Sequence, residues 1–113
     1  MGVTPGFVEF LKDQLAGFGP VAVKRMFGGA GIYRDGVMFG LIADDILYFK
    51  ADAVTRPDFE AEGLGPFVYA TKTGANTLTS YWRVPERCFD DPDALVEWAE
   101  KAVAAALRAR KPK

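Results

Sequence analysis

Apolar residues recur along the first half of the chain at two different periods. Phe7, Phe10, Leu11 and Leu15 repeat at helical spacing behind Thr4-Pro5, which supplies an N-cap and a proline for the first helical position. Gly17 and Gly19-Pro20 close that helix. The period then drops to two. Short strands are predicted over 21–27, 31–34, 37–43 and 46–50, with Val37, Phe39 and Leu41 on one side of the third and Met38 and Ile42 on the other. Asp35-Gly36 is the signature of a type I′ hairpin turn, and Asp44-Asp45 can make a second tight turn. Links this short join antiparallel neighbours, because a parallel crossover needs a dozen or more residues.

Residues 55–62 read as a short helix, with Thr55 and Asp58 in capping-box positions, Pro57 in the first turn and Gly63 as the stop. Two further strands are expected over 67–71 and 78–84, joined by a turn containing Gly74 and Asn76. Asp91-Pro92 opens a long last helix with Asp93 in its first turn, and Arg108, Arg110 and Lys111 suit its C-terminal dipole. Its apolar stripe is Leu95, Trp98, Ala102 and Ala105, flanked by Ala99, Val103 and Leu107. The predicted class is α+β: two layers, with an antiparallel sheet of about six strands and helices packed on it, in the order α-β-β-β-β-α-β-β-α. Residues 1–113 read as one domain with no linker or internal repeat, and 108–113 as a flexible tail.

Composition narrows the function. The chain of 113 residues is 50% apolar and 26% charged, so it can bury a core without staples. Its net charge of −1 lacks the cationic surplus of a protein that grips phosphates. No apolar run approaches the length needed to span a bilayer, and no signal-peptide pattern opens the chain. One cysteine excludes an internal disulfide and suits a reducing, cytoplasmic location. The absence of histidine excludes Ser-His-Asp and Cys-His catalysis and the usual zinc sites.

The remaining chemical candidates are few. Gly28-Gly29-Ala30-Gly31 resembles a phosphate cradle only in composition: a strand follows it where a phosphate loop needs a helix, so a bulge or close backbone approach is the favoured reading. Asp44-Asp45 and Asp90-Asp91 fit turn and N-cap roles better than a catalytic pair. Cys88 has no general base in sequence and reads as a small, half-buried residue. Arginines beside aromatics can anchor an interface or stack on bases, although a solvated sheet face would show the same alternation. The candidate interaction surface is therefore Lys24, Arg25, Phe27, Gly28, Gly29, Arg34, Tyr81 and Arg83, with no catalytic, cofactor or metal residue expected.

The run from Arg25 to Ile42, RMFGGAGIYRDGVMFGLI, with Leu47-Tyr48-Phe49-Lys50, Thr55-Arg56-Pro57-Asp58-Phe59 and Ser80-Tyr81-Trp82-Arg83-Val84-Pro85, resembles the TfoX (Sxy) N-terminal domain family. The likeness extends from about Thr4 to Leu107. It implies a secretion-chaperone-like α+β fold and a bacterial, non-enzymatic regulator of competence that acts through another protein on the transcription of DNA-uptake genes. RNA polymerase or a transcription regulator such as the cyclic-AMP receptor protein is the expected partner. Full-length members carry a helical C-terminal domain, and this chain is expected to be a stand-alone N-terminal domain. Direct nucleic-acid binding and small-molecule binding are the alternatives, and the edges of an open sheet admit a homodimer.

Overall fold

A computed structural model describes residues 3–26, 29–71 and 74–110. Helix α1 (Pro5–Gln14) leads into β1 (Ala22–Met26), β2 (Gly29–Arg34), β3 (Val37–Ala43) and β4 (Ile46–Lys50). Helix α2 (Arg56–Ala61), strands β5 (Pro66–Thr71) and β6 (Gly74–Arg83), a 3-10 turn (Glu86–Asp90) and helix α3 (Pro92–Arg110) complete the order. All strand pairs are antiparallel, in one open sheet ordered β1-β2-β3-β4-β6-β5. The α+β class and element order are those expected from the sequence.

Local chemistry places most boundaries. Thr4 caps α1, its Oγ1 accepting from the Phe7 amide at 3.3 Å. Asp45 then holds Thr4 twice, accepting from its amide and from its hydroxyl at 2.9 Å each, which pins the start of α1 to the β3–β4 turn. Both central residues of each hairpin turn have positive φ: Asp35 (52°) with Gly36 (79°), and Asp44 (52°) with Asp45 (57°). That is the backbone a type I′ turn requires, and aspartate tolerates it better than most residues.

Three expectations are corrected. The alternation foreseen for β3 breaks at a β-bulge: Met38 faces Tyr33 and Gly40 faces Ile32, so Phe39 is an extra residue. The bulge lets Phe39 and Ile42, of opposite parity, both enter the core at 0% exposure. Thr55, the N-cap of α2, makes no side-chain cap bond to the helix, and its partner is Asp52 in the preceding turn instead of Asp58. The Asp52 amide donates to Thr55 Oγ1 at 3.1 Å, and the Thr55 amide donates back to Asp52 Oδ1 at 3.2 Å. Gly74 and Asn76 lie within β6 and form no turn, because β5 and β6 stay paired out to Thr71 opposite Gly74.

The last helix runs to Arg110, with Arg108 and Arg110 at its C-terminal end as the sequence suggests, and Arg108 is fastened to Asp52 by two hydrogen bonds of 2.6 and 3.0 Å. The described part of the predicted tail, through Arg110, is therefore helical; residues 111–113 lie outside the described residues.

All the helices bury their apolar sides in a single cluster. Leu11 of α1 and its C-cap Leu15, Phe59 of α2, and Leu95, Trp98, Ala99 and Ala102 of α3 meet Ile32, Phe39, Ile42, Leu47, Phe49 and Trp82 of the sheet. The helices therefore share one face of the sheet. Two aromatic chains knit the layers together. Phe18, Phe39 and Phe49 follow one another at 5.2 and 5.7 Å, while Phe59 lies 6.1 Å from Trp82 and 4.8 Å from Trp98. Each fully buried phenylalanine contributes roughly 1.5–3 kcal/mol over its exposed state.

Glycine is required at two sheet positions for want of space. A methyl on Gly40 would lie 3.3 Å from Phe49 Cδ1 and 3.3 Å from the Tyr48 carbonyl oxygen, and one on Gly29 would run into the Ile42 carbonyl oxygen. We expect Gly40→Ala to cost about 1–3 kcal/mol in chemical denaturation, and Gly29→Ala at least as much because rigid backbone opposes it. Unchanged midpoints would show that the strands can separate without penalty.

The Asp52 carboxyl lies well below its ordinary value of 3.8, at about 2, chiefly through the Arg108 hydrogen bonds and then through the amides of Thr55 and Val54, against the opposing effect of burial. A depressed carboxyl stabilises the fold above its unfolded pKa, and that contribution disappears as pH falls through the folded value. Acid unfolding should therefore steepen between about pH 4 and pH 2, and Asp52→Asn should flatten that part of the stability curve.

Candidate interaction surface

Register and alternation decide which residues share the sheet face turned away from the helices. Phe49 and Trp82 are paired and buried in the core, so the flanking pairs Tyr48–Arg83 and Lys50–Tyr81 project from the opposite face. Following the register outward gives a row straight across five strands: Lys24, Gly31, Leu41, Tyr48 and Arg83. Beside it lie Tyr33, paired with Met38, and the Lys50–Tyr81 pair. These positions hold three cations, three tyrosines and two aliphatic side chains, and no acid.

The cations are placed over the rings. Lys24 Nζ sits 5.3 Å from the centroid of Tyr33, and Lys50 Nζ sits 5.1 Å from that of Tyr81. Ring quadrupoles attract cations at this range. Arg83 lies 3.5 Å from Glu86, which leaves its side chain 45% exposed. Tyr48 also packs on Phe67 of β5, with ring centroids 4.8 Å apart, so the edge of the sheet joins the same surface. Tyr81 is only 8% exposed even on this face. Burial raises its pKa, with Tyr33 adding to the rise; burial also raises that of Tyr48, which Arg83 opposes.

The structure divides the residues singled out from the sequence. Lys24, Tyr81 and Arg83 share the open face. Arg25 and Arg34 lie on the helix side and are committed there: Arg25 Nη2 donates to the Val3 carbonyl at 3.0 Å, and Arg34 sits 4.3 Å over the Phe18 ring and 3.7 Å from Glu100. Gly29 serves the close approach to Ile42 described above. Phe27 and Gly28 lie outside the described residues. The sequence reading missed Lys50, Tyr33 and Tyr48. Their alternation in β2 and β4 was visible, but the β4–β6 pairing that joins them to Arg83 spans a helix and a hairpin.

Other chemical candidates are accounted for structurally. Cys88 is fully buried, not half-buried, and burial raises its thiol pKa against the pull of Arg87, which keeps it protonated and a poor nucleophile. Arg87 is engaged by Glu62 through hydrogen bonds of 3.2 and 2.8 Å. Asp91 caps α3, its Oδ1 accepting from the Ala94 amide at 3.2 Å. Among the described residues, no group of three or more His, Cys, Asp or Glu is placed to hold a metal ion, and no helix is long and apolar enough to cross a membrane.

Residues 13–106 match the family model described as the TfoX N-terminal domain. The chain is also similar to the DNA transformation protein TfoX1 of Aliivibrio fischeri (strain ATCC 700601 / ES114), at 30% identity over 97 residues. That alignment covers 86% of this chain and 44% of the relative, so the chain spans less than half the length of the curated protein it matches.

The raised phenol values carry a definite sign. Protonated, buried tyrosines stabilise the fold fully below their ordinary pKa of 10.0, and the contribution is lost as pH rises through the higher folded values. We expect the phenolate absorbance of the native protein to rise at higher pH than that of the unfolded chain, with Tyr81→Phe removing part of the delayed signal. Superimposed native and unfolded titrations would contradict the packing of this face.

Proposed function

The chain belongs to the TfoX N-terminal domain family, a family of competence-related regulators, and from that premise we propose that it is a non-enzymatic adaptor. It binds another protein through the open face of its sheet and so acts in the transcriptional control of DNA uptake. The observation that carries this reading is the row of Lys24, Leu41, Tyr48 and Arg83, with the adjoining Tyr33 and Lys50, which no helix covers; Tyr81 is buried beside them. Tyrosine and arginine are the residues that most often dominate binding energy at protein interfaces. Three cations, with Glu86 beside Arg83 alone, fit an acidic surface on the partner, and an excess of one sign speeds encounter. A transcription regulator or RNA polymerase is the class of partner proposed, which places the chain in the cytoplasm.

The similarity to a protein named for DNA transformation supports the pathway. The buried, protonated Cys88 supports a role other than catalysis. Direct nucleic-acid binding fits less well. Two of the tyrosine faces on which bases would stack already carry lysine ammonium groups, and the net charge of −1 gives little general attraction to phosphate.

Charge reversal on the open face tests the proposal. In the host bacterium, deleting the gene should lower natural transformation, and the wild-type chain should restore it. The double variant Lys50→Glu/Arg83→Glu should restore it at least about tenfold less well, which corresponds to some 1.4 kcal/mol of lost binding. The variant must keep the wild-type thermal unfolding midpoint. Full restoration by a folded variant would remove the open face from the mechanism. Duplex or single-strand binding that falls steeply with salt would transfer the reading to nucleic acid.

A further inference from the structure

The two edges of the sheet are chemically unlike. At one edge, β1 carries Lys24 and Arg25. Charged side chains are the usual protection of an edge strand, and pairing β1 with a second copy would bring these cations together. The Arg25 side chain is also fastened to the Val3 carbonyl, which draws the segment before α1 towards this edge.

The other edge is guarded only at its start, by Pro66 and the register shift beside it, and carries no charge within the strand. Strand β5, Pro66–Thr71, pairs with β6 on one side only and ends the sheet. Between Glu62 and Arg83 the sequence contains a single charged residue, Lys72, and neither β5 nor the stretch of β6 opposite it contains any, in a chain that is 26% charged. The β5–β6 hairpin also reaches past the body of the sheet. Only Tyr81, Trp82 and Arg83 of β6 pair with β4, while β6 from Gly74 to Leu78 pairs with β5 alone. The Val68 side chain on this arm is 55% exposed. In an antiparallel ladder, residues alternately turn their N–H and C=O groups towards and away from the partner strand. Beyond Pro66, the terminal strand therefore presents a row of outward backbone groups on a stretch that is uncharged and partly apolar.

We propose that β5 is a self-association site, pairing antiparallel with β5 of a second copy of this chain about a two-fold axis. The two six-stranded sheets then become one continuous sheet. Symmetry favours this occupant over a different protein. Across a two-fold axis each residue of the patch meets the same patch of its copy, so charge on the strand repels itself whereas an uncharged strand does not. The paired stretches of the arm likewise offer no charge by which to select an oppositely charged partner, the one charge of the hairpin being Lys72 between them. Pairing at this edge leaves Lys24, Tyr33 and Lys50 uncovered, since they lie on other strands, although Phe67 of β5 packs on Tyr48 of the open face.

Sedimentation velocity or light scattering over a wide concentration range tests the proposal on the intact chain. A reversible monomer–dimer equilibrium is expected, and its dissociation constant should change little between about 0.1 and 1 M salt, since no ion pair crosses the junction. Val68→Lys adds a charge at an exposed position and should weaken the dimer by roughly tenfold or more while leaving the unfolding midpoint near wild type. Lys24→Ala, at the opposite edge, should leave it unchanged. As a second readout, Val68→Cys should give a disulfide-linked dimer under mild oxidation, with the buried Cys88 unreactive. A chain that stays monomeric at millimolar concentration, or a dimer that Val68→Lys does not weaken, would overturn the assignment. So would a dimer lost in Lys24→Ala.

Discussion

The structure rests on a sheet that can be covered on one side only. Leu11, Leu15, Phe59, Leu95 and Trp98 from three helices converge on the same sheet residues, with Phe39 and Phe49 at the centre of contact. Two local features make that contact possible. The bulge at Phe39 turns an outward position into an inward one, and the missing side chain of Gly40 leaves room for the Phe49 ring. Interiors at crystal-like density transmit such requirements widely, so the orientation of α3 depends on one extra residue in β3.

Around that core, the charged residues mostly fasten helices to one another and to turns. Asp52 closes the turn before α2 with Thr55 and receives Arg108 from α3; Asp58 takes Lys101 at 3.1 Å; Glu62 takes Arg87; Asp45 takes the start of α1. Exposed pairs of this kind contribute little individually. Their placement matters more than their energy, because each links elements distant in sequence. Carboxylates used in this way are dispersed around the helix layer and do not converge.

The consequence for function is a division of labour between the faces. The helix side is filled with packing and ion pairs, and Cys88 is sealed within it. The opposite side keeps tyrosines under lysines and an arginine at the end of a five-strand row, which are groups suited to recognition. The strand order also gives the two edges different lives: β1 carries cations, while β5, itself uncharged, extends with β6 beyond the rest of the sheet.

Much of this was legible in the sequence for reasons of local chemistry. Thr4-Pro5, Asp35-Gly36, Asp44-Asp45 and Asp91-Pro92 mark caps and turns whose geometry is set within four residues, and the stripe through Leu95, Trp98, Ala102 and Ala105 marks a buried helix face. Period-two alternation likewise identified the strands and their antiparallel succession. Other features depended on partners far along the chain. Thr55 pairs with Asp52 in place of Asp58, and Asp52 also receives an arginine 56 positions away. The bulge followed from packing between β2, β3 and the helices. Whether a basic residue in a strand faced solvent or the helix layer depended on register: Lys24 and Arg25 are adjacent in sequence yet project from opposite faces. Alternation defines two faces without saying which one will be covered, and only the packed helices decide that.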